Sequence, residues 1–245
     1  MLKIVKDSVL RVSRSLGYDI VPLHEMKERD FSLHLRELLR YLEIDCVLDI
    51  GANAGQYHDF LRDRVLFEGT IVSFESVKGH IAQLCARAQH DPDWHIEPYA
   101  LGAEDGSFTL NVKPDSSKVR EFDGHNVACR RETVAMKTID SVLPRLRERH
   151  GFRRPYLKLD TQGFDIEVLE GAQQSLAGIP ALQSEASVIG IYQGMPSYMD
   201  TIRYLGSHGF DITGLYPISR DRSLRLIEFD CVMINRSVAA AVPAA

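Results

Sequence analysis

Cysteine is scarce in this chain, four in 245 residues, and Cys46, Cys85, Cys129 and Cys231 stand far apart with no C-x-x-C pair. That scatter excludes a disulfide-framed miniprotein and supplies no thiolate zinc or redox motif, so reduced, mostly buried thiols of a cytoplasmic protein are expected. Long apolar runs are missing too. The longest stretches without Asp, Glu, Lys or Arg, 171–184 and 186–199, hold 14 residues each and are interrupted by Gly and Pro. Neither is long enough to span a bilayer as a helix. Positive charge is in deficit, 29 Lys plus Arg against 34 Asp plus Glu for a net charge of −5. The field that would make nucleic acid the default partner is therefore absent, although a local basic patch would not register in that sum. His24 with His34, and His90 with His95, lack the H-x-x-x-H spacing of helical zinc ligands, so packed or solvated imidazoles are expected. What is present, 44% hydrophobic and 26% charged residues, suits one soluble globular domain with a sizeable core.

Val5, Val9, Val12 and Leu16 share one helical face, while Asp7, Arg11 and Arg14 break any continuous signal-sequence core. An amphipathic helix over 1–16 is expected, docked on the domain or resting weakly on a membrane surface. An extended piece at 18–23 precedes Leu35, Leu38, Leu39 and Leu42, whose spacing marks a second helix; residues 1–44 thus read as a helical extension packed on the domain. Strand and helix patterns then alternate: strands at 46–50, 70–74, 94–99, 107–112, 133–139, 156–160 and 181–187, and helices after Gly55 and at 78–89, 141–150 and 197–208. Val168, Leu169, Ala172 and Leu176 form one further helical stripe. Such alternation argues a mostly parallel sheet covered on both faces. Strands at 210–216 and 224–234, joined by the polar turn 219–223, are close enough to form an antiparallel pair closing one edge. Residues 113–132, polar and without a period, read as a lid-like insert, and 237–245 as a frayed low-complexity tail. Between them, 45–236 form one domain without internal repeats.

The informative stretch is Asp49-Ile50-Gly51-Ala52-Asn53-Ala54-Gly55, where the first parallel strand meets its helix. Ligands of open α/β sheets collect outside the carboxyl ends of the strands. Glycines at 51 and 55 allow a sharp turn and close approach, and the Asp49 carboxylate can accept hydrogen bonds from a cationic or hydroxylated group. The glycine order departs from G-x-G-x-x-G, which seats a diphosphate on a helix N-terminus, so a ligand without phosphates fits better. Glu75 ends the next strand, where a carboxylate can accept both hydroxyl protons of a ribose. A structural turn and a surface glutamate are the plain alternatives.

Together these residues resemble the FkbM family of S-adenosylmethionine-dependent O-methyltransferases. The resemblance runs from about 45 to 235 through Val47 to Gln56, Val72-Ser73-Phe74-Glu75, Ala100-Leu101-Gly102, Leu157-Lys158-Leu159-Asp160-Thr161-Gln162-Gly163, Glu167 to Ala172 and the Glu185 strand. It implies an α/β fold of the class I methyltransferase (Rossmann-like) type: a three-layer sandwich on a mostly parallel seven-stranded sheet with an antiparallel last strand, plus the N-terminal helices. It also implies that Asp49, Gly51, Asn53 and Gly55 line the methionine and ribose end of S-adenosyl-L-methionine. Glu75, with Ser76 beside it, would hold the ribose hydroxyls, and Tyr99, Ala100 and Leu101 would lie near adenine. Gln162 stands where many relatives carry a glutamate; a hard divalent cation prefers several carboxylates, so no metal is expected.

Transfer to an alcohol is helped by a base. Asp160, His125 and Glu185 are candidates by type; Asp160 could instead hold cofactor or loop, and ordinary hydrogen bonding would equally explain the other two. Tyr192 to Pro196 could shape an acceptor pocket or simply pack. The implied reaction is methylation of a hydroxyl on a sugar, glycolipid or polyketide intermediate. The strand end at Asp160 lacks the Asn-Pro-Pro-aromatic sequence of base-amine methylation, which disfavours nucleic acid. A nicotinamide-dependent oxidoreductase and a noncatalytic binding module of the same fold are the rival readings.

Overall fold

The computed structural model of the chain describes residues 26–112, 130–189 and 196–239. The segments expected at 1–16 and 18–23, His125, and the stretch 192–195 lie outside the described residues. Helix α1 (Met26–Tyr41) buries Phe31, Leu35, Leu38 and Leu39, and Leu42 just beyond it, along the stripe its leucine spacing dictates. Strand β1 (Cys46–Ile50) is buried at every position, as a strand covered on both faces must be. Next come α2 (Gln56–Phe60), which widens into a π-type turn at Leu61–Val65, then β2 (Thr70–Phe74), α3 (Lys78–Ala88) and β3 (Trp94–Glu97). After the short strands β4 (Ala100–Leu101), β5 (Gly106–Val112) and β6 (Arg130–Lys137), alternation resumes with α4 (Ile139–His150), β7 (Pro155–Leu159), α5 (Asp165–Glu170), β8 (Ala181–Ser187) and α6 (Tyr198–Ser207). The described chain closes with β9 (Phe210–Arg220), β10 (Leu226–Asn235) and the single turn α7 (Arg236–Ala239).

The main sheet has seven strands in the order β3-β2-β1-β7-β8-β10-β9. β10, the last strand, runs antiparallel to both neighbours, while the other pairings are parallel. One face of this sheet, including Leu48, Ile50, Val72, Phe74, Leu157 and Leu159, packs with α4, α5 and α6 through Leu143, Val168, Leu169 and Leu205. The other, including Val47, Ile71, Tyr156, Ala181 and Val232, packs with α1, α2 and α3. The three layers expected from the alternation are those observed. After β1 the chain moves outward through β2 and β3, then returns to the opposite flank of β1 at β7. This reversal opens a crevice at the carboxyl end of β1.

Three local expectations need correction. Residues 130–132, read as part of the insert, belong to β6 and pair with Val112, Asn111 and Leu110. The insert is thus built on a β5–β6 hairpin in a separate three-stranded sheet, β4-β6-β5. The stripe Val168-Leu169-Ala172-Leu176 is buried as expected, yet α5 stops at Glu170. A side chain at Gly171 would lie 2.0 Å from the Gly102 carbonyl oxygen, so the chain passes this contact in turns that keep the apolar residues inward. The β9–β10 hairpin turns two residues later than expected, because Asp221 accepts from the Ser223 and Arg225 amides at 2.8 and 3.0 Å. The described cysteines are mostly buried as expected, Cys46 and Cys231 being enclosed and Cys85 exposed.

Candidate active site

The β1–α2 turn is held from both sides. Gly51 and Ala52 each donate to the Phe74 carbonyl at 3.1 Å, and the Asp160 amide donates to the Ile50 carbonyl at 3.1 Å. Gly51 has φ +80°, and a Cβ there would lie 2.1 Å from the Asp160 carbonyl oxygen. Only glycine lets the turns after β1 and β7 meet this closely. Gly55, also at positive φ, has Arg87, Trp94 and Leu84 where a side chain would go, so it serves packing against α3 and β3 rather than the crevice wall. Asn53 adopts φ 49° and donates its amide to Glu75 Oε2 at 2.8 Å.

Glu75 is therefore a preset carboxylate. Its Oε1 accepts from the Ser76 and Val77 amides, both at 2.7 Å, and its side chain is almost wholly buried. A carboxylate oxygen has two lone pairs, so Oε2, with one amide donor, retains capacity for a hydroxyl. Glu75 and Ser76 wall a cavity of about 370 Å³ floored by Ile50, Gly51 and Phe74, within the size range of small-ligand sites. Tyr99 to Glu104 form another wall, and Phe108, Leu110 and Met136 close it from the small sheet. Thr161, Phe164 and Glu167 complete the lining, which among the described residues contains three glutamates and no lysine or arginine. Phe108 and Phe164 meet edge to face, with centroids 5.5 Å apart.

Asp49 is completely buried and does not line the cavity. It accepts from Ser73 Oγ at 3.1 Å, and its Oδ1 lies 3.0 Å from Lys158 Nζ. Lys158 reaches Asp160 Oδ2 as well, at 3.2 Å, while 32% of the Asp160 side chain remains exposed. Beyond them Tyr57 donates to Gln183 Oε1 at 2.8 Å, and Gln183 Nε2 donates to Asp230 at 2.7 Å. Burial, then repulsion from Asp160, Glu228 and Asp230, pushes the Glu185 carboxyl up to about 9. Burial likewise raises Asp230 to about 6, with Asp160 adding to the effect. Asp165 is also raised by burial and braces the β7 turn, accepting from the Thr161 amide at 3.1 Å and from Ser184 Oγ at 2.5 Å.

Of the residues expected at the site, Gly51, Glu75, Ser76, Tyr99, Ala100 and Leu101 line one cavity. Asp160 and Glu185 share a second group of charges at the neighbouring strand ends. Among the described residues, no group of three His, Cys, Asp or Glu is arranged to hold a metal ion. Sequence reading missed Lys158, although a lysine within Tyr156-Leu157-Lys158-Leu159, in an otherwise apolar strand, is itself a signal of an internal ion pair. It also missed Phe108 and Phe164, whose approach depends on how the hairpin folds over the sheet.

Residues 49–212 match the family model described as the methyltransferase FkbM domain. The chain belongs to the FkbM methyltransferase family. The matched model is that of a methyltransferase domain. Among solved structures, the FkbM methyltransferase of Methylobacillus flagellatus superposes with a TM-score of 0.53 at 17% identity, over 78% of this chain and 44% of that one. This likeness shows the shared fold, and the chain spans less than half the length of that protein. A putative O-methyltransferase from Klebsiella pneumoniae is similar over 94% of this chain and 89% of its own, at 12% identity and a TM-score of 0.46. Aeropyrum pernix fibrillarin, solved with S-adenosyl-L-methionine, is similar over 78% and 66%, at 12% identity and a TM-score of 0.45. No curated protein matches the sequence. No helix among the described residues is long and apolar enough to cross a membrane.

Proposed function

We propose that this FkbM methyltransferase is a cytoplasmic enzyme that methylates a hydroxyl of a small molecule, a sugar, glycolipid or polyketide intermediate, rather than nucleic acid. The observation that carries the cofactor placement is the cavity lining, apolar with three glutamates and, among the described residues, no basic side chain. Such a wall suits an uncharged nucleoside attached to a cation and gives a diphosphate nothing to pair with. The rival nicotinamide reading loses its support on the same ground. Glu75 Oε2 is placed for a ribose hydroxyl, and Ala100 and Leu101, with the Phe108–Phe164 pair opposite, supply flat apolar contact for a base.

When bound, S-adenosylmethionine supplies a methyl group on a sulfonium; its carbon–sulfur bond breaks, with the electron pair going to sulfur, as the acceptor oxygen bonds to carbon. Asp160 is the group we assign to take the hydroxyl proton. It is partly open to solvent, follows the β7 strand end, and is held by Lys158 beside the cofactor turn. Glu185 keeps its own proton at neutral pH, so it can donate a hydrogen bond to the acceptor but is a poor base there.

Two measurements test this. Calorimetric titration with S-adenosylhomocysteine gives saturable one-site binding that NADH does not compete with; no binding overturns the cofactor site. Transfer of labelled methyl into hydroxylated small molecules of a cell extract falls by roughly 10² to 10⁴ in Asp160→Asn, while S-adenosylhomocysteine affinity stays within threefold. Full activity in that variant removes Asp160 as the base.

A further inference from the structure

Lys158 enters the chemistry set out above only as the group that holds Asp160, yet it is an almost wholly buried ammonium, a costly group to keep inside a protein. Its Nζ lies 3.0 Å from Asp49 on β1 and 3.2 Å from Asp160 past β7, and 5.1 Å from the centre of the Tyr57 ring. β1 and β7 pair directly, with Asp49 opposite Lys158, so the ion triad ties together the two strands whose turns meet at Gly51 and Asp160. The charged and titratable groups that bear on Asp160 come from every packed element: Asp49 on β1, Lys158 on β7, Asp165 on α5, Glu185 on β8 and Asp230 on β10. Tyr57 on α2 and Glu228 on β10 complete the surroundings of the group. Lys158 is the one cation in that set.

We infer that Lys158 is a positioning residue for methyl transfer, fixing Asp160 against the cofactor turn by tying it to Asp49. This rests on the reading of Asp160 as the base. Without the ammonium, Asp160 loses the ion pair that ties its carboxylate to Asp49 on β1.

The test uses the full chain labelled with carbon-13 at the aspartate carboxyls, with Asp160→Asn identifying the Asp160 signal. In Lys158→Met that signal moves off its position in the unsubstituted chain, and methyl transfer into the extract falls through a lowered kcat while S-adenosylhomocysteine affinity is kept. Should Lys158→Met not fold, the charge-balanced double variant Asp49→Asn with Lys158→Met takes its place. A purely structural lysine predicts that the double variant regains both thermal midpoint and methyl transfer. The inference predicts that it regains the first and not the second. An unmoved Asp160 signal in either folded variant overturns the inference. Failure of the unsubstituted chain to bind S-adenosylhomocysteine instead overturns the reading of the site, and the titration separates the two failures.

Discussion

Glu75 shows how a single side chain becomes a binding group through its backbone surroundings. Three amides, from Asn53, Ser76 and Val77, orient its carboxylate before any ligand arrives, so little reorganisation is needed on binding. Hydrogen bonds to a charged group are worth about 1.5–3 kcal/mol each. Glu75→Ala is therefore expected to weaken S-adenosylhomocysteine affinity at least about tenfold by calorimetry, with a melting curve confirming that the turn still folds. Unchanged affinity in a folded variant would remove Glu75 from the site. Its place at a strand end was legible in the sequence; its Asn53 amide donor was not, because that bond depends on Asn53 taking φ 49° in a different loop. Asp49 is the opposite case. Read as a ligand-facing carboxylate, it is sealed behind the cavity by Lys158 and Ser73, so its influence on the cofactor passes through the turn it supports.

At the scale of elements, the clearest sequence signals were those where local chemistry and tertiary burial agree. The α1 leucines share one face and are buried on it. Leu35 is fully enclosed, and Leu35→Ala is expected to cost roughly 2–5 kcal/mol of unfolding free energy, read as a lowered midpoint in urea. A loss under 0.5 kcal/mol would mean that α1 is not integral to the core. The start of α6 was equally legible, since Ser197 and Asp200 form a reciprocal cap. The β5–β6 hairpin was legible only in part. Arg130, Arg131 and Glu132 look like loop residues, and they enter a strand because the partner segment 110–112 offers its backbone across the hairpin. No period in the residues themselves records that pairing.

Across the whole molecule, the charges at the strand ends link stability to pH. Glu185 titrates near 9 in the fold against 4.5 for an ordinary glutamate, and Asp230 near 6 against 3.8 for an aspartate. Between the unfolded and folded midpoints the native state binds more protons than the unfolded chain, so stability falls as pH rises through that window. The loss begins near pH 4 and is complete only above about pH 9. Glu185→Gln, which keeps the shape and cannot ionise, is expected to flatten the decline. Its thermal midpoint should match the parent near pH 5 and exceed it at pH 8.5. Parallel curves for the two proteins would show that Glu185 does not hold its proton in the native state.

Residue order alone determined the alternation of strands and helices, the place of the glycine turn at the end of β1, and the phosphate-free character of the turn from Asp49 to Gly55. These are local properties: periodicity, glycine placement and the absence of a diphosphate fingerprint are written along the chain. Tertiary structure alone decided which of the candidate groups meet. It set Asp49 against Lys158, brought Asp160 and Glu185 within range of each other's charge, turned Gly55 toward α3, and folded Phe108 over the cavity beside Phe164. The physical reason is that charge state and access depend on distance and burial between residues more than a hundred positions apart in some cases, as Asp49 and Lys158 are, and no spacing in the sequence encodes either.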